Sequence, residues 1–266
     1  MNDMIPEQLA DIHNHLVPSV DDGCRSLDES LTHLRALRAE GVLELATSSH
    51  LNGWLVYEGE GALAERLERL RHGFELLSAA CESREDVPRL RFSQEILTPT
   101  PDVARKVFAT AGVGLNGTSY ALCEFGFDPE GDTAEVVRAV GAAGKRIIIA
   151  HPERYRLQGQ PIPIEQIRQW NAAGALLQVN GSSLLGEHGP GHEALGWRMV
   201  EEGLADLAGT DHHGDYRPVS PRDIARALLA RGAAEQANLL LSENPRRILA
   251  DQETVAVPPL RAEAAA

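Results

Sequence analysis

Short apolar segments alternate with longer amphipathic segments along most of this chain, and this alternation limits the folds open to it. Seven apolar runs have the length and composition of β-strands, namely residues 9–12, 43–48, 90–93, 120–123, 146–150, 176–179 and 205–209. Helical spacing of apolar residues predicts helices over 27–40, 61–80, 133–143, 164–173, 192–202, 221–230 and 245–250. Seven strand–helix units with short connections favour parallel strands, and most simply a barrel.

The sequence also predicts how the first helix begins, how many domains the chain forms and how its C-terminal segment behaves. Ser26 and Glu29 have the spacing of a capping box at the start of the first helix. No linker divides the sequence, so we expect residues 1–250 to form one domain. After Asp251 the sequence turns to Val-Pro-Pro and then Arg-Ala-Glu-Ala-Ala-Ala, which predicts a poorly ordered tail over residues 251–266.

Charge and cysteine content exclude several classes of function. The 266 residues carry 25 Lys plus Arg against 39 Asp plus Glu, a net charge of −14. This balance argues against general nucleic-acid binding and against an electrostatic membrane anchor, because both need a basic surface. Three scattered cysteines predict a reducing compartment. With neither a signal peptide nor a membrane-spanning run in the sequence, we expect a cytoplasmic protein without membrane insertion.

Polar side chains follow six of the seven predicted strands. In a barrel these carboxyl ends share one mouth, where active sites lie. His13 and His15 are two residues apart, so both point the same way on an extended segment, and Asp211 and His213 repeat that spacing. Asp22 lies on the loop above the first strand. The other candidates at strand ends are His50, Glu95, Glu124 and His151, and Glu153 lies in the segment that follows His151.

This set of side chains predicts a multi-metal site. Several carboxylates in one mouth would repel each other and raise each other's pKa, and divalent cations remove that cost. The set contains imidazole and carboxylate but no converging cysteine, which suits Mn, Fe or Zn. About nine ligands are too many for one ion, so we expect two or three, with Glu124 as a bridging ligand. Isolated histidines such as His33 and His72 are expected to have structural roles, while His188 and His192 are candidates for the rim.

At these residues the chain resembles the metal-dependent tyrosine-protein phosphatases of bacterial capsule and exopolysaccharide operons, within the polymerase-and-histidinol-phosphatase superfamily. The matching segments occur in the family's order along nearly the whole chain. They are Asp11-Ile-His-Asn-His15, Val20-Asp-Asp-Gly23, Ala46-Thr-Ser-Ser-His50, Tyr120-Ala-Leu-Cys-Glu-Phe125, Ile149-Ala-His-Pro-Glu-Arg-Tyr155, Gln178-Val-Asn-Gly-Ser-Ser183, Thr210-Asp-His-His213, Arg217-Pro218 and Asn244-Pro-Arg-Arg-Ile248.

The resemblance implies a single α/β domain with a distorted (β/α)7 TIM-like barrel that holds three metal ions, commonly manganese. By position, His13, His15, Glu124 and Asp211 would hold one ion. Glu95, Glu124 and His151 would hold a second ion, and Asp22, His50 and His213 a third. Arg154 and Arg217 would bind the substrate phosphate and serve catalysis. The implied substrate is phosphotyrosine in the tail of the tyrosine autokinase that regulates polysaccharide synthesis and export.

The sequence departs from the family in two places. The family shows Ser-Asp-x-His-Asn where this chain has Thr210-Asp211-His212-His213-Gly214, and the loop 51–60 has Trp54 and Tyr57 but no basic residue. Two other functions therefore stay open. One is a phosphoesterase of the same superfamily acting on a small phosphomonoester, such as a sugar or amino-alcohol phosphate. The other is a non-catalytic barrel that binds metal. An amidohydrolase is disfavoured, because Lys106 and Lys145 are badly placed for a bridging carbamate.

Overall fold

The apolar segments predicted as strands do form strands in the computed structural model, which describes residues 5–260. Two short strands that were not predicted, at residues 50–52 and 95–97, follow the predicted strands 43–48 and 90–93, and a small hairpin is added. The strands are β1 (Leu9–Asp11), β2 (Val42–Thr47), β3 (His50–Asn52), β4 (Arg89–Phe92), β5 (Glu95–Leu97), β6 (Tyr120–Glu124), β7 (Arg146–Ala150), β8 (Arg156–Leu157), β9 (Gln160–Pro161), β10 (Leu176–Asn180) and β11 (Leu207–Gly209).

Parallel pairing runs around seven strand segments and returns to the first. β1 pairs with β2, β2 with β4, and β3 with β5, where β3 and β5 continue β2 and β4 after breaks of two residues. From β5 the pairing proceeds through β6, β7 and β10 to β11. A bridge between Asn14 and His212 then joins the segment after β11 to the segment after β1. The predicted fold class, an α/β domain with a distorted seven-stranded barrel, is confirmed.

Helices follow most strands, as in other α/β barrels. They are α1 (Leu27–Ala39), α2 (Ala62–Cys81), α3 (Pro101–Phe108), α4 (Thr133–Ala142), α5 (Ile164–Ala172), α6 (Gly181–Leu184), α7 (Pro190–Glu201), α8 (Pro221–Ala230), α9 (Ala234–Asn238) and α10 (Asn244–Leu249). A π-helical turn, Leu239–Glu243, joins α9 to α10. The sequence placed Lys106 in a helix without giving bounds for α3, and it predicted neither α6 nor α9. The predicted start of α7 lies two residues after the observed one.

The capping box predicted for α1 forms only in part. The Ser26 hydroxyl accepts a hydrogen bond from the amide of Glu29 at 3.2 Å, as predicted. The Glu29 carboxylate, however, accepts from the amide of Arg25 at 2.8 Å and from that of Asp215 at 3.2 Å. The reciprocal bond is therefore displaced by one residue, and Glu29 links the start of α1 to the loop after β11.

Two apolar clusters stabilise the barrel on its two faces. Leu122 and Ile148 belong to an inner cluster, while their neighbours Ala121 and Ile149 belong to the larger cluster under the helices. This alternation is the expected two-residue period of a strand. The inner cluster also contains Ile248 and Leu249 of α10, so that helix closes the amino-terminal end of the barrel. Apolar burial thus fills the lower barrel and leaves the carboxyl ends of the strands to polar residues.

The segment after α10 is tied to the barrel over its described part. Asn244 exchanges hydrogen bonds with the backbone of Val255, Pro258 O accepts from Gln236, and the amide of Leu260 donates to Glu201 O. Residues 261–266 of the predicted tail lie outside the described residues. Within residues 5–260, no helix is both long and apolar enough to cross a bilayer.

Candidate active site

The nine predicted metal ligands meet at the carboxyl end of the barrel. Seven of them line a cavity of about 440 Å³, together with Arg154 and Arg217. The remaining two, His13 and His15, lie fully buried beneath it. The ligand atoms form overlapping groups within 4.8 Å, and these groups are His13–His15–Asp211, His13–Glu95–His151, His50–Glu95–Glu124 and His15–Asp22–His50–His213.

Glu95 is the carboxylate at the centre of this cluster. Its Oε1 lies 2.8 Å from Nε2 of His151 and 3.3 Å from Nε2 of His13. Its Oε2 lies 3.4 Å from Nε2 of His15 and 3.1 Å from Nδ1 of His50. Burial alone raises the pKa of Glu95, but these imidazoles outweigh burial and hold the pKa well below its usual range. Glu95 therefore stays ionised at neutral pH.

Asp211 is a second shared carboxylate on the opposite side of His13 and His15. Its Oδ1 lies 3.4 Å from Nε2 of each of these two histidines. Burial raises the pKa of Asp211, and the neighbouring imidazoles of His13, His15 and His151 outweigh that effect, so the pKa is well below normal. The same carboxylate accepts from Arg154 at 2.7 Å and pairs with Arg217 at 2.9 Å.

Asp22 and two histidines form the outer edge of the cluster. Oδ1 of Asp22 lies 3.4 Å from Nε2 of His50 and 3.5 Å from Nε2 of His213. Hydrogen bonds from His213 and His50 hold the pKa of Asp22 well below its usual range. Because the Asp22 side chain is largely exposed, this edge faces the solvent side of the cavity.

Glu124 lies beside Glu95 rather than at the centre. Its Oε1 is 4.0 Å from Nδ1 of His50. Burial and the negative charge of Glu95 raise the pKa of Glu124 to about 7. Glu95 and Glu124 are thus neighbouring carboxylates whose pKa values shift in opposite directions. A divalent cation would relieve the repulsion between two such groups.

Hydrogen bonds beneath the cluster fix the orientation of its imidazoles. Nδ1–H of His13 donates to the side-chain carbonyl of Gln178 at 2.6 Å, and Nδ1–H of His15 donates to Asp21 at 3.0 Å. The Nε2 atoms of both rings therefore face Glu95 and Asp211. Within the described part of the chain, these two buried Nε2 atoms have no hydrogen-bond partner. Neutral imidazoles oriented in this way are typical metal ligands, so the residues fit divalent ions.

Backbone strain occurs at two members of the cluster. His151 has φ of 35° and Asp211 has φ of 51°, both in the left-handed region that residues with a Cβ seldom adopt. Each follows a buried strand, β7 or β11, at the point where the chain turns across the mouth. Such conformations concentrate at functional sites, where surrounding structure holds them.

The cavity wall combines two arginines with apolar side chains. The guanidinium of Arg154 stacks over the ring of Phe127 at 4.9 Å, and the guanidinium of Arg217 lies against His213. Phe127 and Tyr216 are exposed, and Leu51 and Leu97 are further apolar residues of the cavity lining. The site thus offers planar cationic donors beside an apolar surface.

His212 points away from the cluster and joins a chain of hydrogen bonds to the surface. The amide of Val219 donates to Nδ1 of His212 at 3.1 Å, and Nε2 of His212 lies 3.0 Å from Nδ1 of His33. Nε2 of His33 then donates to the exposed carboxylate of Asp215 at 3.0 Å. Burial lowers the pKa of His212 to about 4, so the ring is neutral at physiological pH.

The remaining predicted or overlooked residues have clear positions. His72 is exposed on α2, whereas His188 and His192 line a shallow cleft beside Arg154. Glu153, a strand-end candidate, is fully buried below the cluster, and its Oε1 accepts from the amide of Asn180 at 3.0 Å. Gln178 and Asp21 had no role in the sequence analysis. The adjacent Asp21-Asp22 pair and the polar Gln178 within an apolar strand were the available signals.

Comparison with known proteins gives consistent matches. The model of a family described as "Capsular polysaccharide synthesis, CpsB/CapC" matches residues 9–250. The chain is 28% identical to the tyrosine-protein phosphatase YwqE of Bacillus subtilis, over 94% of this chain and 95% of the relative. It is 26% identical to the tyrosine-protein phosphatase CpsB of Streptococcus agalactiae, over 91% of this chain and 98% of the relative.

Solved structures agree with these sequence matches. A structure from a study of YwqE from Bacillus subtilis and CpsB from Streptococcus pneumoniae, described as metal-dependent tyrosine phosphatases, superimposes with a TM-score of 0.75. The sequence identity is 25%, and the match covers 96% of this chain and all of the other. A phosphotriesterase from Mycobacterium tuberculosis matches at a TM-score of 0.56 with 15% identity, covering 93% of this chain and 95% of the other, which shows a shared fold.

Proposed function

Since the chain belongs to the capsular polysaccharide synthesis family CpsB/CapC, we propose that it is a metal-dependent phosphatase that hydrolyses phosphotyrosine in a protein. The observation that carries this proposal is the convergence of nine imidazole and carboxylate side chains on one cavity that two arginines also line. The chain matches relatives named tyrosine-protein phosphatases over nearly their whole length, and these matches support the proposed reaction.

The proposed ligands of two or three divalent ions are the nine side chains of the cluster. Their oxygen and nitrogen donors suit manganese, with iron or zinc as alternatives. When bound, such ions supply the positive charge that allows water to lose a proton near neutral pH. Glu95 has the most imidazole neighbours, which favours it as a shared ligand, and the bridging role predicted for Glu124 remains part of the proposal. The ligands are His13, His15, Asp22, His50, Glu95, Glu124, His151, Asp211 and His213.

Arg154 and Arg217 have the geometry to bind the phosphate. Their forked guanidinium groups match the oxygens of a phosphate and oppose the charge that develops on those oxygens during transfer. Phe127 holds Arg154 at the cavity wall by stacking, so this arginine is presented with little freedom. Both arginines are only partly exposed, which strengthens their electrostatic effect relative to arginines in bulk water.

The apolar wall favours an aryl phosphate over a small phosphomonoester. Leu51, Leu97, Phe127 and Tyr216 line the same cavity as the two arginines. A phenyl ring gains free energy by burial against such side chains, whereas a sugar hydroxyl would lose hydrogen bonds to water there. A phenolate is also a good leaving group, because the pKa of tyrosine is about 10. Strong assistance from a general acid is then unnecessary.

The proposed partner is the tyrosine-rich tail of a bacterial tyrosine autokinase that regulates polysaccharide synthesis. The cavity opens directly to solvent at its Tyr216 and Asp22 edge, so a phosphotyrosine that projects from an extended peptide has access without domain motion. A cytoplasmic location, where such a tail would be met, is part of the same proposal.

The decisive experiment compares substrates on the metal-loaded protein. We expect Mn-loaded enzyme to hydrolyse a phosphotyrosine peptide with at least about ten-fold higher kcat/KM than glucose 6-phosphate, with Fe and Zn tested in parallel. The His13→Ala/His15→Ala variant should lose activity and bound metal while staying folded, and His72→Ala, an exposed histidine, is the control. Full activity in the double variant would refute the metal mechanism. A preference for the sugar phosphate would establish the small-substrate alternative.

A further inference from the structure

Six arginines line one cavity at the amino-terminal end of the barrel, opposite the candidate active site. They come from the end of α1, the loop after α2, strand β4 and α10, and they are Arg38, Arg84, Arg89, Arg91, Arg246 and Arg247. The cavity has a volume of about 800 Å³ and is open to solvent. Such a concentration of positive charge is unexpected in a chain of net charge −14.

The strand register explains why two of these arginines line the cavity. Arg89 pairs with Glu44 and Arg91 with Ala46 across the β4–β2 ladder, so Arg89 and Arg91 share one face of β4. Ala46 belongs to the apolar cluster inside the barrel, so this face is the inner face. Bulky branched apolar residues usually fill inner positions of such barrels. Arginine at these positions gives the amino-terminal rim of the barrel, beside α10, a cationic surface.

The acidic residues around the cavity neutralise only part of its charge. Three carboxylates, those of Glu44, Glu85 and Glu243, face the six guanidinium groups, which leaves an excess of three positive charges. Arg89 lies 3.7 Å from Glu44, and Arg247 lies 2.6 Å from Glu243.

Three of the arginines have guanidinium groups without an internal partner. Among the described residues, Arg38, Arg91 and Arg246 make no ion pair within 4.0 Å and no side-chain hydrogen bond. An unpaired guanidinium retains all five of its N–H donors for a ligand.

We propose that this arginine cavity binds a small polyanion that carries a diphosphate or triphosphate group. Guanidinium groups recognise phosphate oxygens through pairs of parallel hydrogen bonds, and several of them around one concavity match several adjacent phosphates. The volume lies within the usual range of small-molecule sites, about 300–1,000 Å³, and exceeds what a single phosphate requires. The proposal concerns a second site, separate from the phosphatase cavity, and stands whether or not the proposed catalytic function is correct.

The test uses methylenediphosphonate, a diphosphate analogue whose P–C–P linkage the enzyme cannot hydrolyse. Calorimetric titration of the metal-loaded protein should show a binding event that survives in Arg154→Gln/Arg217→Gln, because those residues belong to the other cavity. The Arg91→Gln/Arg246→Gln variant should bind at least about ten-fold more weakly, and higher salt should weaken binding to the wild type. Arg168→Gln/Arg222→Gln, which makes the same charge change on α5 and α8, should bind like the wild type.

Two results would overturn the proposal. One is equal binding of methylenediphosphonate by the wild type and the Arg91→Gln/Arg246→Gln variant, since the heat would then come from the metal ions or the active site. The other is binding of a glutamate-rich peptide at the arginine cavity without binding of the diphosphonate. Circular dichroism confirms folding of each variant, and Arg38→Gln/Arg84→Gln serves as a second test of the same cavity if Arg91 proves necessary for folding.

Discussion

The side-chain carbonyl of Gln178 lies 2.6 Å from Nδ1 of His13, and this contact determines which nitrogen of His13 faces the candidate metal cluster. A carbonyl oxygen can only accept a hydrogen bond, so Nδ1 carries a proton and Nε2 is the nitrogen that faces Glu95 and Asp211. Gln178 also accepts from the amide of His151 at 3.4 Å, so one side chain on β10 supports ligands from two other strands.

Gln178→Ala should weaken metal binding by about 10- to 100-fold, as is usual when a partner beneath a metal-bound histidine is removed. The loss follows because His13 can then rotate or change tautomer. Metal titration of the variant measures the effect, with Gln166→Ala on α5 as the control. Unchanged affinity would show that packing alone orients His13.

Glu95→Gln should be more damaging than Glu124→Gln. Glu95 lies within 3.4 Å of four imidazole nitrogens, whereas Glu124 approaches one at 4.0 Å. We expect Glu95→Gln to lower kcat/KM by at least about 100-fold, since it removes preorganised charge from the centre of the site. Steady-state kinetics and metal analysis of both variants provide the measurement. A greater loss in Glu124→Gln would assign the central role to Glu124.

His33→Ala should destabilise the protein although His33 lies outside the candidate metal cluster. The substitution leaves the buried Nε2–H of His212 without its acceptor, which costs about 1–3 kcal/mol of unfolding free energy. For a chain of this size we expect Tm to fall by roughly 2–4 °C per kcal/mol. Thermal unfolding of His33→Ala and of the exposed control His72→Ala tests this. Equal Tm values would mean that His212 finds another partner.

Asp206→Asn should stabilise the protein at neutral pH. Burial raises the pKa of Asp206 to about 6, against 3.8 in the unfolded chain, while its carboxylate accepts from the amide of Leu177. Folding therefore favours the protonated form, so its contribution to stability is complete below pH 3.8 and is lost as the pH rises to about 6. Asparagine keeps the acceptor without the charge. The Tm gain of the variant should be largest above pH 6 and absent near pH 4; a constant gain would exclude this titration.

The sequence predicts the strand ends well because parallel topology brings all carboxyl ends to one mouth. Periodicity located all seven strand segments, and the residues after them supplied the candidate ligands. The sequence indicated the ends of β2 and β4 but not β3 and β5, since the polar pairs Ser48-Ser49 and Ser93-Gln94 interrupt the apolar pattern and the strands that follow them have only three residues each. These breaks set the positions of His50 and Glu95.

The spacing of residues along a strand also does not predict how far a side chain reaches across the mouth of the barrel. Glu95 and Glu124 occupy equivalent strand-end positions in the sequence, and only the three-dimensional arrangement distinguishes the central carboxylate from its neighbour. Long-range partners such as Gln178 and Asp21 are invisible for the same reason, because they act through contacts between separate strands. No bounds were predicted for the helix that contains Lys106, although Thr100 and Pro101 provide the N-cap and the first-turn proline of α3.

The two broken strands divide the barrel into a lower level filled by apolar side chains and an upper level occupied by ionisable ones. Substitutions at the two levels should consequently have different effects on the protein. In a library of random variants, changes at the lower level should appear as low yields of protein, whereas changes at the upper level should leave yield intact and abolish turnover. A screen that measures both the abundance and the activity of each variant should find the change from one class of effect to the other at Ser48, Ser49 and Ser93.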